Sequence, residues 1–173
     1  MTDHTTTESL EALDQDYETQ LTLAASTDVV YDALTTTEGL TAWWTPAEGD
    51  GLTGGELTFS FGPEATAVMR VDAAERAVGV RWTNTACIQE DWVGTTLHFD
   101  IKPTPEGGTD LHFRHAGLTP RLECFIDCKS GWDHFIPSLR AYVETGAGNP
   151  NRSEADLARR EALARRLESA DTV

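Results

Sequence analysis

The stretch Thr109-Asp110-Leu111-His112-Phe113-Arg114-His115 places apolar residues at alternate positions. Alternation is the period of a half-buried strand, so Leu111, Phe113 and His115 share one face and His115 points inward. An imidazole in an apolar setting could orient or protonate a bound molecule; the alternative is a hydrogen-bonded histidine of the core. Cys124 and Cys128 stand four apart in a helical pattern, on one face and one turn before Trp132. A tetrahedral metal would need two more ligands, and only His115 and Cys87 offer themselves, at spacings that match no zinc pattern. An intrahelical bridge is geometrically poor. These positions therefore read as small buried thiols, with a ligand-contacting thiol as the alternative, and no metal is expected. Glu90-Asp91 before Trp92, and Glu123 near a helix start, are carboxylates that would serve either as solvated residues or as acid-base partners for His115. No nucleophile with an ordered partner and no glycine-rich phosphate cradle is evident. No catalytic constellation emerges, and no cofactor is implied.

The aromatic residues carry a second possibility. Trp43, Trp44, Phe59, Phe61, Trp82 and Phe99 fall largely on inward positions, joined by Phe113, Trp132 and Phe135. Either they fill a solid core, or a curved sheet holds them off a facing helix and they line an apolar pocket. The candidate binding set is these nine together with Met69, His115 and Cys128.

Composition narrows the partners. The 173 residues carry 13 Lys and Arg against 29 Asp and Glu, a formal charge of −16. A phosphate backbone would be repelled over most of such a surface, so no nucleic-acid partner is expected. The acid-rich, lysine-poor balance suits a halophile's solvated surface and equally an arginine-biased genome. The first residues carry no basic, apolar signal segment, no stretch approaches the roughly 20 apolar residues of a membrane span, and three cysteines form no disulfide framework. A cytoplasmic protein without membrane insertion is the expectation.

The elements that must hold these residues follow from periodicity. Residues 1–16 read as a flexible acidic arm in which Leu10 and Leu13 mark at most one helical turn. A strand begins at Tyr17. Ser26 is placed to cap a short helix whose stripe is Val29, Val30, Ala33 and Leu34, and a second short helix spans about Thr37 to Trp44. Five alternating segments follow without crossover helices: Leu57 to Phe61, Ala67 to Val71, Val78 to Trp82, Leu97 to Ile101, and Leu111 to Phe113. That succession argues for an antiparallel sheet. From about Leu122 the helical period returns on a stripe through Cys124, Cys128, Trp132, Phe135, Ile136, Leu139 and Val143. Pro137 inside it predicts a kink or a later start, and Gly146, Gly148 and Pro150 end it. Ser153 caps a last helix over a thin stripe of Leu157, Leu163 and Leu167, which reads as a surface appendage spanning residues 151–173.

The segment from Val30 through Ala33-Leu34-Thr35, Glu38 and Leu40 to Trp43-Trp44 resembles the opening motif of START-like (SRPBCC) domains of the activator of heat shock protein 90 ATPase homolog-like family. Gly131-Trp132 and Thr145-Gly146-Ala147-Gly148-Asn149-Pro150 resemble its closing segments. Tyr31 and Thr37 stand where that family usually has Trp and Pro. The resemblance covers residues 17–150 and implies an α+β helix-grip fold, a curved antiparallel sheet wrapped around a long C-terminal helix. It also implies binding of a hydrophobic or amphipathic small molecule in a cavity between sheet and helix. The alternatives it leaves open are an enzyme of cyclase or hydrolase type using the same cavity, with His115 and Glu123 as acid and base, and an interaction protein that stimulates a chaperone. A chaperone or a second copy of the chain would then be the partner.

Overall fold

The computed structural model describes residues 9–172; the first half of the expected arm lies outside them. Strand β1 (Tyr17–Leu23) is followed by helices α1 (Thr27–Thr35) and α2 (Thr37–Trp43), then β2 (Ala47–Gly49), β3 (Glu56–Gly62), β4 (Ala65–Glu75), β5 (Gly79–Cys87), β6 (Thr96–Pro103) and β7 (Thr109–Ala116), and finally helices α3 (Phe125–Thr145) and α4 (Glu154–Ala170). A 3-10 turn, Glu90–Trp92, lies between β5 and β6. The strands form one antiparallel sheet in the order β1-β7-β6-β5-β4-β3-β2. Helices α1 and α2 carry the chain from the β1 edge to the β2 edge, and the sheet then returns strand by strand until β7 pairs with β1.

Local chemistry sets the boundaries. The Ser26 hydroxyl accepts from the Val29 N–H at 3.3 Å and opens α1; Thr36 does the same for α2 through Gly39 at 3.1 Å. Gly146, at φ 85°, closes α3 in the left-handed conformation that favours glycine. Helix α3 starts three residues later than its periodicity suggests and runs through Pro137, whose ring lies on the exposed side. The carbonyl that loses its partner there belongs to Asp133, an exposed residue on the solvent side of the helix. Two expected core residues stand outside: Val29 is 45% and Val78 59% exposed. Val78 belongs to the turn between β4 and β5 rather than to β5 itself. Strand β2, three residues long, has too short a period to read in advance.

The core fills the space between the inner face of the sheet and α3. Trp43, Trp82, Phe59, Phe99, Phe113 and Met69 are fully buried there beside Trp44 and Trp132. Tyr17 on β1 ties sheet to helix by donating to the Asp133 carboxylate at 2.7 Å. Helix α4 lies on the surface against α3, and Asp156 is its one buried residue. Burial pushes that carboxyl up, but the Arg152 N–H and the Arg159 and Arg160 guanidiniums outweigh it and hold Asp156 below the usual carboxylate range.

Two outcomes follow from this charge and burial. Thermal melts across a salt series should show a midpoint that rises as self-repulsion is screened, by about 2–4 °C for each kcal/mol relieved. A chain ending at Ser153 should melt only a few degrees lower, because the ion pairs of Asp156 lie within α4, which reaches α3 through Arg159 on Ser130 and on the Phe135 ring and adds little apolar burial; collapse of the truncated chain would show α4 to be part of the core.

Candidate functional site

Strand β5 presents Val80, Trp82 and Asn84 to the interior at alternate positions. Opposite it, Met69 pairs with Asn84 but Val68 pairs with Ala86, so Thr85 is an extra residue and the strand is bulged. The bulge reverses the parity beyond it and turns Cys87, three residues after Asn84, toward the same side as Ala67. The 3-10 turn that follows brings Trp92 inward, 9% exposed, while Glu90 and Asp91 stay in solvent.

Around these residues lies an open cleft of about 530 Å³ at one end of the helix-sheet interface. Its floor and walls are mainly apolar: Trp44 and Phe61 from one side, Cys87, Ile88 and Trp92 from another, and Cys128, Gly131, Trp132 and Phe135 from α3. Leu163, Ala164 and Leu167 of α4 close it, with Arg159 and Arg160 also in its lining beside Gln89 and Asp127. The appendage is thus a wall of the cleft. Its hydrophobic stripe was thin in the sequence because it covers a cleft rather than a core.

Of the expected set, Trp44, Phe61, Cys128, Trp132 and Phe135 border this cleft. Trp43, Phe59, Met69, Trp82, Phe99 and Phe113 sit behind it in tight ring contacts, with Trp132 4.6 Å from Phe113 and 5.0 Å from Trp44 between centroids. The middle of the interface is therefore filled, and the open volume is displaced to its end. Trp92, Cys87 and the α4 residues are the lining that sequence reasoning missed. The short spacing between the β5 pattern and Trp92 was the available signal for the first.

His115 lies one layer behind the cleft and is fully buried. The Trp132 indole N–H donates to its Nδ1 at 3.0 Å, which leaves the ring proton on Nε2. Nε2–H donates to the Thr95 hydroxyl at 2.8 Å, and that hydroxyl donates to the Trp92 carbonyl at 2.6 Å. The Trp92 ring meets the imidazole edge-on at 4.7 Å. Burial holds His115 far below its ordinary value of 6.5, at about 3. Its role here is to position Trp132 and Trp92, and the structure does not join it to Glu123, which is exposed ahead of α3. Cys128 accepts from the Trp92 indole at 3.1 Å. Burial pushes the Cys87 and Cys128 thiols up, so neither is a thiolate at neutral pH and neither is primed for attack or metal ligation. Among the described residues, no three His, Cys, Asp or Glu side chains gather as a metal set, and no helix is long and apolar enough to cross a membrane.

The His115 geometry sets a pH dependence. Between 6.5 and about 3 the unfolded chain binds a proton that the folded chain does not, so this contribution is complete above pH 6.5 and is lost as pH falls. Urea unfolding at pH 7 and pH 5 should show the protein losing about 2 kcal/mol more than a His115→Gln variant over the whole interval. Parallel slopes would mean that His115 binds its proton alike in both states.

Residues 24–144 match the sequence profile of the family described as Activator of Hsp90 ATPase homolog 1-like protein. The solution structure of the Aha1 dimer from Colwellia psychrerythraea is similar with a TM-score of 0.68 at 27% identity, over 78% of this chain and 99% of that one. The solution structure of CalU16 from Micromonospora echinospora gives 0.64 at 17% identity, over 89% and 87%. The crystal structure of DynU16, from the dynemicin biosynthetic locus, gives 0.62 at 22% identity, over 78% of this chain and 49% of that one. No curated protein matches the chain. The sheet order, the gripped helix α3 and the profile match over most of the sheet and helix agree: the chain belongs to the Activator of Hsp90 ATPase homolog 1-like family, with the START-like helix-grip fold.

Proposed function

We propose that this domain binds a hydrophobic or amphipathic small molecule in the cleft between β5, the Trp92 turn, α3 and α4. The observation that carries the reading is the lining. Trp44, Phe61, Trp92, Trp132 and Phe135 converge on an open volume of about 530 Å³, within the roughly 300–1,000 Å³ range of small-molecule sites. An apolar surface of that kind is stabilised by removing it from water, at about 25 cal/mol per Å² covered. Arg159 and Arg160 sit at the α4 side, but both are paired with Asp156 and Asp127 shares the lining, so the reading rests on the apolar walls and not on charge. A hydrogen-bonded, neutral His115 without a carboxylate partner favours binding over turnover.

Gly131 supplies the test. A side chain built there meets nothing closer than the Phe135 ring at 3.8 Å, an ordinary contact, and projects into the cleft. Gly131→Leu should therefore fold at full stability, gain up to about 1 kcal/mol of helix propensity, and lose binding of the apolar dye anilinonaphthalenesulfonate by tenfold or more. Trp132→Ala should lose binding too, at about 3–5 kcal/mol of stability. Undiminished dye binding by a folded Gly131→Leu protein would move the site elsewhere. Native mass spectrometry of protein from its own host would identify a co-purifying molecule, and turnover of it would establish the enzyme reading instead. The Colwellia relative is described as a dimer, so self-association is the second reading for the exposed apolar rim around Ile88 and Leu167, which are 62% and 40% exposed. Light scattering that gives a dimer, broken by Ile88→Glu, would support it.

A further inference from the structure

Among the described residues, two buried polar atoms of β5 have no partner: the Trp82 indole N–H and the Asn84 side-chain oxygen. The residues are 0% and 1% exposed and face inward from alternate positions of one strand. The Asn84 amide is oriented by its other end, whose NH₂ donates to the Met69 sulfur at 3.5 Å, leaving the oxygen free. One atom is a donor only and the other an acceptor. Paired backbone fixes both: the Asn84 N–H donates to the Thr95 carbonyl and its carbonyl accepts from Gly94, each at 2.9 Å. An unpartnered donor and an unpartnered acceptor on one inward face are seldom retained without an occupant.

The bulge places this pair next to the cleft. Cys87, the next inward residue of β5, borders the cleft, and so does Trp44, whose ring lies parallel over Trp82 at 6.3 Å between centroids. Trp44 thus both borders the open volume and packs on the Trp82 ring. We infer that Trp82 and Asn84 form an inner polar subsite that receives a hydroxyl group of the ligand when the Trp44 ring yields, the hydroxyl oxygen accepting from Trp82 and its proton going to Asn84. The ligand class is therefore an apolar molecule bearing a hydroxyl at its buried end. This rests on the binding reading above and specifies it.

A hydroxyl satisfies both atoms, an ether only the donor, and a hydrocarbon neither. Displacement of anilinonaphthalenesulfonate by naphthol, methoxynaphthalene and naphthalene distinguishes these cases on the unaltered protein. Naphthol should bind at least tenfold tighter than naphthalene, against the order of their hydrophobicities, and methoxynaphthalene should not reproduce the gain. Asn84→Leu, apolar and of similar size, should erase naphthol's advantage while leaving naphthalene's affinity within about twofold. If the three probes displace the dye equally or in order of hydrophobicity, the subsite is overturned while the cleft stands, and the polar pair holds a structural water alone. If the dye itself does not bind, the cleft reading fails and the subsite with it. Should Asn84→Leu not fold, the ranking of the three probes on the wild-type protein decides.

Discussion

The run of hydrogen bonds from the Trp132 indole through His115 and Thr95 to the Trp92 carbonyl determines where this molecule is solid and where it is open. It joins α3 to β7, and β7 to the segment that links the 3-10 turn to β6. Each link has a fixed direction, because an indole can only donate and so sets the histidine tautomer, which in turn sets the hydroxyl. A buried network satisfied at every member is rigid, and its cost if any member is lost is large. With Trp132 held against β7 and Trp92 held against the imidazole, the two indoles stand nearly parallel, 6.0 Å apart between centroids. They form a fixed edge to the cleft.

Behind that edge the aromatic rings do what the fold's curvature requires. A sheet wrapped around one helix leaves more interior than aliphatic side chains of one helix face can fill, and close packing demands that the excess be occupied or left as a cavity. Here Trp43, Trp82, Phe99 and Phe113 occupy the middle, and the volume that remains lies at the end where the β5 bulge and the glycine of α3 leave the wall thin. The Trp43 indole donates to the Ala33 carbonyl at 2.9 Å and so belongs wholly to the core, whereas its neighbour Trp44 faces the cleft. Adjacent residues at the end of α2 therefore serve different purposes, one filling and one lining.

Much of the fold was legible because its signals are local. Ser26, Ser153 and Gly146 cap the helices they were read to cap, and the alternation of β3 through β7 survives in the sheet. The site was less legible for reasons that are equally physical. Period-two reasoning assigns Cys87 the opposite face to Asn84, and only the extra residue Thr85 reverses that assignment, which requires the partner strand to be seen. Trp92 is placed by a tertiary contact with His115 and not by any repeat in its own segment. Nor does the sequence distinguish aromatic residues that fill from those that line, since both occupy inward positions; the difference between Phe99 and Phe135 is one of depth along the interface.

The closing Gly148-Asn149-Pro150 segment, followed by Asn151, links these levels. A side chain at Gly148 would meet the Ala42 carbonyl at 2.6 Å, so only glycine lets this segment approach the end of α2. Once there, the Asn149 N–H donates to the Ser138 hydroxyl, itself bonded to the Trp43 carbonyl, and the Asn151 N–H donates to the Trp44 carbonyl at 2.6 Å. The Asn151 side chain then donates to Thr45 and accepts from Arg160, which is paired with the buried Asp156. One asparagine thereby fixes the backbone of the ring that lines the cleft and the helix that walls it. The Trp44 backbone and α4 are thereby held in a fixed relation through one residue, which joins the ring that borders the cleft to the helix that walls it.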